Sequence, residues 1–289
     1  MKFSNLIMTC IFCLGASSCF SQNAKDVIIE THQLTPNVYM LTGQGGNIGV
    51  FVGDEGVFMI DDQFAPLSPK ILAAIKTLSP KPIKFLINTH HHGDHTGGNS
   101  NIAETGALIV AHDNVRKRLV NSKSSTESAL PVITFSDDMN FHFNGESIMV
   151  FHIHNAHTDG DAMVYFANNN VLHTGDVFFS GRYPYIDVKA GGTVNGIIKA
   201  IKKVMMLIDD DTKIIPGHGP VSSKTDYQNT LNMLEDLKAK VNKAIKNGKT
   251  EDEVANMSSI TKKYDDLGYG WSFINGEKVR RALYQSLKK

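Results

Sequence analysis

The stretch NTHHHGDHTGGN, Asn88 to Asn99, places four histidines and one aspartate within twelve residues. Imidazole titrates near neutral pH and is the commonest metal-binding side chain. A cluster this dense reads as ligands rather than as plain charge, which Lys and Arg supply better. The spacing carries geometry. Residues two apart on an extended chain point to the same side, so His90 and His92 face one ion and His91 points away. Gly93 allows a sharp turn, after which Asp94 and His95 aim toward a second ion close by. Gly97 and Gly98 permit close backbone approach ahead of a short helix.

Working outward, the segments on either side read as strands and helices in two similar halves. Val38–Leu41, Ile48–Val52 and Val57–Ile60 have strand composition, the last following the turn at Gly53–Gly56. Ser68-Pro69 signals a helix start, with Ser68 as the cap. That helix runs to about Leu78 and is closed by Pro80 and Pro82. The strand Lys84–Ile87 then delivers the histidine cluster. In the second half, Asn144-Gly145 and Asn168–Asn170 mark hairpins. A helix follows, with Ile197, Ile198, Ile201, Val204, Met205 and Ile208 at helical spacing. The strand Lys213–Ile215 ends in Pro216-Gly217-His218-Gly219. Two βα halves packed face to face, with histidine loops along one edge, make an αββα sandwich. The tail reads as outer-layer helices: Tyr227 to about Ile245, one capped by Thr250-Glu-Asp-Glu253, and a last one with Val279, Ala282, Leu283 and Leu287 on one face.

A stable site needs more than two ligands for each ion. His157 supplies the third for the first ion, Asp176 sits at a strand end where it can bridge both, and His218 joins Asp94 and His95. All three cysteines, Cys10, Cys13 and Cys19, lie near the N-terminus, so the donors are nitrogen and oxygen. That set suits two Zn2+ ions and is also compatible with Fe or Mn.

His90-x-His92-x-Asp94-His95-x-Gly97-Gly98, followed in order by Ala-His157-Thr, Gly-Asp176 and Gly-His218-Gly, resembles the metallo-β-lactamase superfamily. The resemblance spans Thr89 to Gly219. It implies an α/β (α+β) chain folded as the four-layer αββα sandwich, a binuclear zinc centre, and hydrolysis of a small-molecule substrate by a metal-bridging hydroxide that attacks a carbonyl. Asp94 would bind metal and orient the nucleophile. The first expectation is a β-lactamase-like opening of a cyclic amide. The well-known secreted β-lactamases carry cysteine where this chain has Asp176, arginine at His95, and a substrate-binding lysine at Phe179. The Asp94-His95 pair and the Asp176 bridge are similar to glyoxalase II-type thioesterases and lactonases, the alternative within the fold. A non-catalytic zinc-binding protein of the envelope would need the same ligands without an open coordination position.

Other residues have more than one reading. Asp61, closing Val57–Asp61, resembles the family's carboxylate at that strand end, oriented behind a ligand; capping of a loop competes with it. Arg182 and Tyr185, in Gly181-Arg-Tyr-Pro-Tyr-Ile-Asp187, border the pocket, where Arg182 could bind a substrate carboxylate. Arg182 could equally be a surface residue paired with Asp187. Trp271 and Tyr269 read as core packing, with a roof over the site as the rival. His32, His112, His142, His152, His154 and His173 read as structural.

Lys+Arg and Asp+Glu are both 29, with no basic stripe, which argues against nucleic acid as a partner. Lys2 and the apolar run Leu6–Leu14, followed by Ala16-Ser17-Ser18, read as an export signal, too short to span a bilayer. The expected organisation is a signal peptide over 1–21 and one domain over 22–289 that carries the helical tail, periplasmic or secreted, with no integral membrane segment in the mature chain. Cleavage before Cys19, leaving a lipid anchor on that residue, is the alternative. Mass spectrometry of the exported protein is expected to find Gln22 at the N-terminus. Lipidated Cys19 would establish the anchored form, and an intact Met1 would exclude export through this segment.

Overall fold

Alternate residues of the central strands enter different cores, and this sets the layers. On the strand Gly56–Ile60, Phe58 and Ile60 pack in one cluster while Val57 and Met59 pack in another. On Asp161–Phe166, Ala162, Val164 and Phe166 share the cluster of Phe58, whereas Met163 faces a third. A strand buried on both faces needs an apolar partner on each side. Here each strand lies between a second sheet and a layer of helices.

The structure is a computed structural model that describes residues 24–122 and 126–288; the expected export signal over 1–21 and Cys19 lie outside the described residues. In chain order its first half comprises β1 (Glu30–Gln33), β2 (Val38–Thr42), β3 (Ile48–Gly53), β4 (Gly56–Ile60), α1 (Ser68–Leu78), β5 (Ile83–Asn88), α2 (Gly93–Thr96), α3 (Asn99–Ala103), β6 (Leu108–His112), α4 (Asp113–Asn121) and β7 (Ile133–Phe135). Its second half comprises β8 (Asp138–Phe143), β9 (Glu146–Ile153), β10 (Asp161–Phe166), β11 (Val171–His173), α5 (Val194–Met205), β12 (Lys213–Ile215), α6 (Lys224–Lys246), α7 (Glu251–Asn256), α8 (Lys262–Asp265) and α9 (Gly276–Lys288). β1 to β7 form one sheet in sequence order, antiparallel up to β4 and parallel from there. The other sheet runs β12-β11-β10-β9-β8, with only β11 and β12 parallel.

The two sheets pack through Phe51, Phe58, Ile87, Val150, Val164 and Phe166. Leu67, Ile71 and Ile75 of α1 and its approach cover the outer face of the first sheet. Residues of α5, α6 and α9 cover the second, among them Ile197, Ile201, Leu234 and Leu283. This is the expected four-layer αββα arrangement. The Asn144-Gly145 hairpin has both residues at positive φ, 53° and 71°, which matches the type I′ turn that such a dipeptide favours. Thr250 and Glu253 form the expected capping box.

One local expectation is corrected. Ser68 is the first helical residue of α1, not its cap; Leu67 holds the cap position and makes no side-chain cap bond. A short 3₁₀ turn, Ala65–Leu67, feeds straight into α1, so the chain is already wound before Pro69. Among the described residues no helix is long and apolar enough to cross a membrane.

Phe58 is fully buried and meets Phe85, Phe141, Phe143 and Phe166. Phe58→Ala is expected to cost ~3–5 kcal/mol of stability, read as a lower denaturation midpoint at unchanged slope. A loss below ~1 kcal/mol would show that the sheets do not depend on this contact.

Candidate metal centre

Strand ends deliver the predicted ligands to one rim of the sandwich. Asp61 follows β4, His90 to His95 follow β5, His157 lies between β9 and β10, Asp176 follows β11 and His218 follows β12. Backbone hydrogen bonds join these loops across the two halves: Asn47 N donates to Gly217 O at 2.7 Å, and Ala162 N donates to Thr89 O at 2.8 Å. The buried Asn47 side chain donates to Pro216 O at 2.9 Å and to Gly219 O at 2.8 Å. Two glycines are required by close approach. A Cβ on Gly46 would lie 2.1 Å from the His95 ring, and one on Gly217 would lie 2.0 Å from Asp176 Oδ1.

The residues gather into two donor sets, as their spacing groups them. In the first, His92 Nδ1 lies 3.1 Å from His90 Nε2 and 2.9 Å from His157 Nε2. In the second, His218 Nε2 is 3.3 Å and His95 Nε2 is 3.7 Å from Asp94 Oδ2. Asp176 stands between them. Its Oδ2 is 3.8 Å from His90 and 3.6 Å from His157, and its Oδ1 is 3.1 Å from His95 and 3.5 Å from His218. Nitrogens bound at about 2.0–2.1 Å to one tetrahedral ion lie roughly 3.3 Å apart, close to these separations.

The far nitrogen of each of four histidines is held from behind. His95 Nδ1 donates to Asp61 Oδ2 at 2.7 Å. His92 Nε2 donates to Asp187 Oδ2 at 3.1 Å, and His157 Nδ1 to Tyr185 O at 2.8 Å. Thr89 Oγ1 donates to Asp61 at 2.7 Å, which leaves its oxygen to accept from His90 Nδ1 at 3.1 Å. A proton on each far nitrogen leaves the facing nitrogen with a bare lone pair. Four lone pairs and two carboxylates converging in a buried site fit divalent cations.

The electrostatics divide the two donor sets: His90 and His157 are favoured neutral, whereas the carboxylates around His95 favour positive charge there. Burial, reinforced by His95, pushes His90 well below the ordinary histidine range, and burial pulls His157 down to about 4. Burial also disfavours charge on His95, but Asp176, Asp94 and Asp61 outweigh it and raise that residue well above the usual value. Burial opposes ionisation of Asp94, yet His95 and His218 hold it at about 2. His95 Nε2 and Asp176 Oδ1 face each other at 3.1 Å, buried and without a well-directed hydrogen bond; a bound cation, or a proton on His95, would satisfy both atoms. Nitrogen and carboxylate donors suit zinc, and iron and manganese as well.

A cavity of about 1170 Å³ opens above Asp94, Asp176 and His218. Its wall includes Phe64, Phe179, Arg182, Tyr185, Trp271 and Phe273. The sequence profile of the metallo-beta-lactamase superfamily matches residues 41–242. The chain belongs to this superfamily.

Within the superfamily the chain is similar to proteins of several kinds. It is 31% identical over 147 residues to a hydroxyacylglutathione hydrolase of Pelagibacter ubique, covering 50% of this chain and 56% of that protein. It is 25% identical to the 2,4-dinitroanisole O-demethylase subunit alpha of a Nocardioides species, covering 75% and 66%. It is 23% identical to a metallo-beta-lactamase type 2 of a Bacillus species, covering 74% and 88%. The chain thus spans between half and two thirds of the length of the first two relatives. A metallo-beta-lactamase from Pontibacter korlensis superposes with a TM-score of 0.64 at 21% identity, over 72% of this chain and 99% of that one. A sec-alkylsulfatase from a Pseudomonas species superposes with a TM-score of 0.72 at 17% identity, over 89% and 50%. At such identities the superpositions speak for the superfamily fold alone.

Several readings of single residues change. Asp187 holds His92 and not Arg182; the two are 95 positions apart, and nothing local in the sequence links them. Trp271 lines the cavity beside Phe179 and His218, whereas Tyr269 packs against Tyr183 and Tyr264 in the core. A lone tryptophan between glycine and serine was the available signal. Phe179 is buried and stacks on His218 at 5.3 Å. His91 belongs to neither donor set; it groups instead with His92 and Asp187, within 4.8 Å, and its Nδ1 is buried without a partner. His152 bonds Asp161 O, His112 caps α4, and His173 receives Gly175 N.

Asp61→Asn puts a donor against His95 Nδ1–H and Thr89, so it is expected to weaken metal binding at both donor sets about 10- to 100-fold. Asp187→Asn is expected to weaken only the ion of the His90, His92 and His157 set. Competition with a chromophoric chelator separates the two. Equal losses from both variants would show that Asp61 does not serve the two sets together.

Proposed function

We propose that this chain is a two-metal hydrolase of small molecules, with His90, His92 and His157 as ligands of one ion, Asp94, His95 and His218 as ligands of the other, and Asp176 shared between them. The observation that carries this reading is the placement of Asp176, with one oxygen toward each donor set. Divalent ions held there supply Lewis acidity and a water ionised near neutral pH. The chain itself orients. Asp94, ionised and partly exposed at the cavity floor, accepts a hydrogen bond from the attacking water and sets its direction. Asp61, Thr89, Asp187 and Tyr185 O keep the ligands in fixed tautomers.

The first reading of the bond is a cyclic amide, supported by the Bacillus relative, whose length the chain nearly spans. The missing lysine weighs on its efficiency. Phe179 is buried and occupied by its stacking on His218, so a β-lactam carboxylate would turn to Arg182. Loss of one charged contact costs about 1.5–3 kcal/mol, or roughly ten- to a hundred-fold in binding. The second reading is an ester or thioester, favoured by Asp176 and His95 in the metal set and by the similarity to a hydroxyacylglutathione hydrolase.

The purified protein is expected to hold about two divalent ions per chain and to lose its activity to a chelator. Asp176→Ala is expected to lower kcat/KM at least roughly a hundred-fold with the fold intact, more than an outer partner commonly gives. A panel of nitrocefin, an acyl-homoserine lactone, a glutathione thioester and an alkyl sulfate, run on one batch, sorts the substrates. Turnover of the thioester or lactone with none of nitrocefin replaces the first reading by the second. Full activity in metal-free protein or in Asp176→Ala would overturn the two-metal reading.

A further inference from the structure

The metal ligands account for the floor of the cavity and leave its far wall unexplained. Trp271 and Phe273 come from the stretch between α8 and α9, outside the matched residues 41–242. Tyr183 fastens that stretch to the Arg182 loop from three directions. Its N–H donates to Tyr269 O at 2.8 Å, its carbonyl accepts from Trp271 Nε1 at 2.9 Å, and its hydroxyl donates to Asp265 Oδ1 at 2.8 Å. Tyr183 is fully buried, so the wall is anchored to the sandwich.

The wall has two chemistries side by side. Trp271 lies 5.8 Å from Phe179 and 5.6 Å from Phe273, and Phe273 meets Tyr185 edge-on at 5.1 Å while remaining 50% exposed. The guanidinium of Arg182 sits 5.6 Å over the Trp271 ring. Among the described residues no carboxylate forms an ion pair with that guanidinium; Asp187, the carboxylate nearest in sequence, bonds His92. Arginine presents a planar fork matched to carboxylates and similar oxyanions, and stacking on an indole fixes its direction. The cavity, about 1170 Å³, is somewhat larger than common small-ligand pockets of about 300–1,000 Å³.

We propose that this wall selects two-part substrates: an anionic group that Arg182 binds, joined to an apolar group of at least one aromatic ring that lies against Trp271 and Phe273. The proposal rests on the hydrolase reading for the word substrate, but the binding it describes needs no turnover. Trp271 and Phe273 would hold the apolar part over the metal floor, and Arg182 would fix which end of the molecule enters. The helical tail thereby contributes to specificity as well as to packing.

Trp271 is the single tryptophan of the sequence, so its fluorescence reports occupancy of the wall directly. The metal-loaded full chain is titrated with naphthalene-2-sulfonate, with the uncharged 2-(methylsulfonyl)naphthalene, and with methanesulfonate. The aryl sulfonate is expected to bind about ten-fold or more tightly than either of the others. Arg182→Met should bring its Kd to that of the neutral sulfone. Phe273→Ala, at an exposed position where misfolding is least expected, should weaken both aryl ligands. Metal content and circular dichroism should stay unchanged in both variants. Equal affinity for the sulfonate and the sulfone, or a sulfonate Kd indifferent to Arg182→Met, would overturn the proposal. With any aryl anion that the enzyme hydrolyses, Arg182→Met should raise KM more than it lowers kcat. Failure of the binding series in an active hydrolase would sink the wall alone. Selective binding by a protein that hydrolyses nothing would sink the hydrolase reading alone.

Discussion

A single buried carboxylate organises the centre. Asp61 is fully buried and its backbone is in the left-handed region, with φ of 58°, a costly conformation for a residue other than glycine. Three donors hold it there: Thr89 N at 2.8 Å, Thr89 Oγ1 at 2.7 Å and His95 Nδ1 at 2.7 Å. The arrangement is reciprocal. The donors supply the hydrogen bonds that a buried carboxylate requires, and the carboxylate fixes the donors. Through Thr89 it also reaches His90, so one side chain orients a nitrogen in each donor set. This works because β4 and β5 are adjacent and parallel, which places the residue after one strand beside the residue after the other.

The second half of the site depends on how the sheets meet. Strands buried on both faces cannot slide without moving an apolar row into the wrong layer, so the inter-sheet core fixes where β11 and β12 end. Those ends bring Asp176 and His218 opposite the β5 loop, and Asn47 ties the two halves together at the rim. Gly46 and Gly217 mark how closely they meet, since a single methyl at either position would enter a ligand's volume. Gathering lone pairs and carboxylates in a dry place is unfavourable by itself. The packed sheets hold the geometry, and cations bound there would offset the charge.

How much was legible in the sequence follows from the range of each interaction. His90, His92, Asp94 and His95 lie within six residues, and their grouping depends on local backbone geometry alone. The strands around them showed because a buried strand is a short apolar run bounded by turn residues. Asp61 showed through its place at the end of such a run. β6, α4 and β7 are not evident in the sequence, because α4 is short, mostly polar and buries only Val115 and Leu119, and β7 is three residues long. The partner of Asp187 was misread because a nearby arginine looked sufficient, while its true partner lay on the other half of the fold. The Ser68 cap failed because tertiary winding upstream displaced a local signal.

The floor and the wall of the cavity are under different physical constraints. On the floor four of the histidines are held from behind by hydrogen bonds, so a change at one of those partners leaves a polar atom unsatisfied. The wall is built from aromatic faces and one unpaired guanidinium, whose contacts are broad, partly exposed and without mutual hydrogen bonds. Tyr183, the Trp271 indole nitrogen, the Trp271 N–H on Ile274 O and Lys278 Nζ on Phe273 O commit the wall to a particular backbone path. Chemistry that needs ångström placement belongs on the floor. Selection by shape and charge tolerates the looser surface above it. Placement of the reacting bond and selection of the substrate are thus separable tasks, the first set by the floor and the second by the surface around Arg182, Trp271 and Phe273.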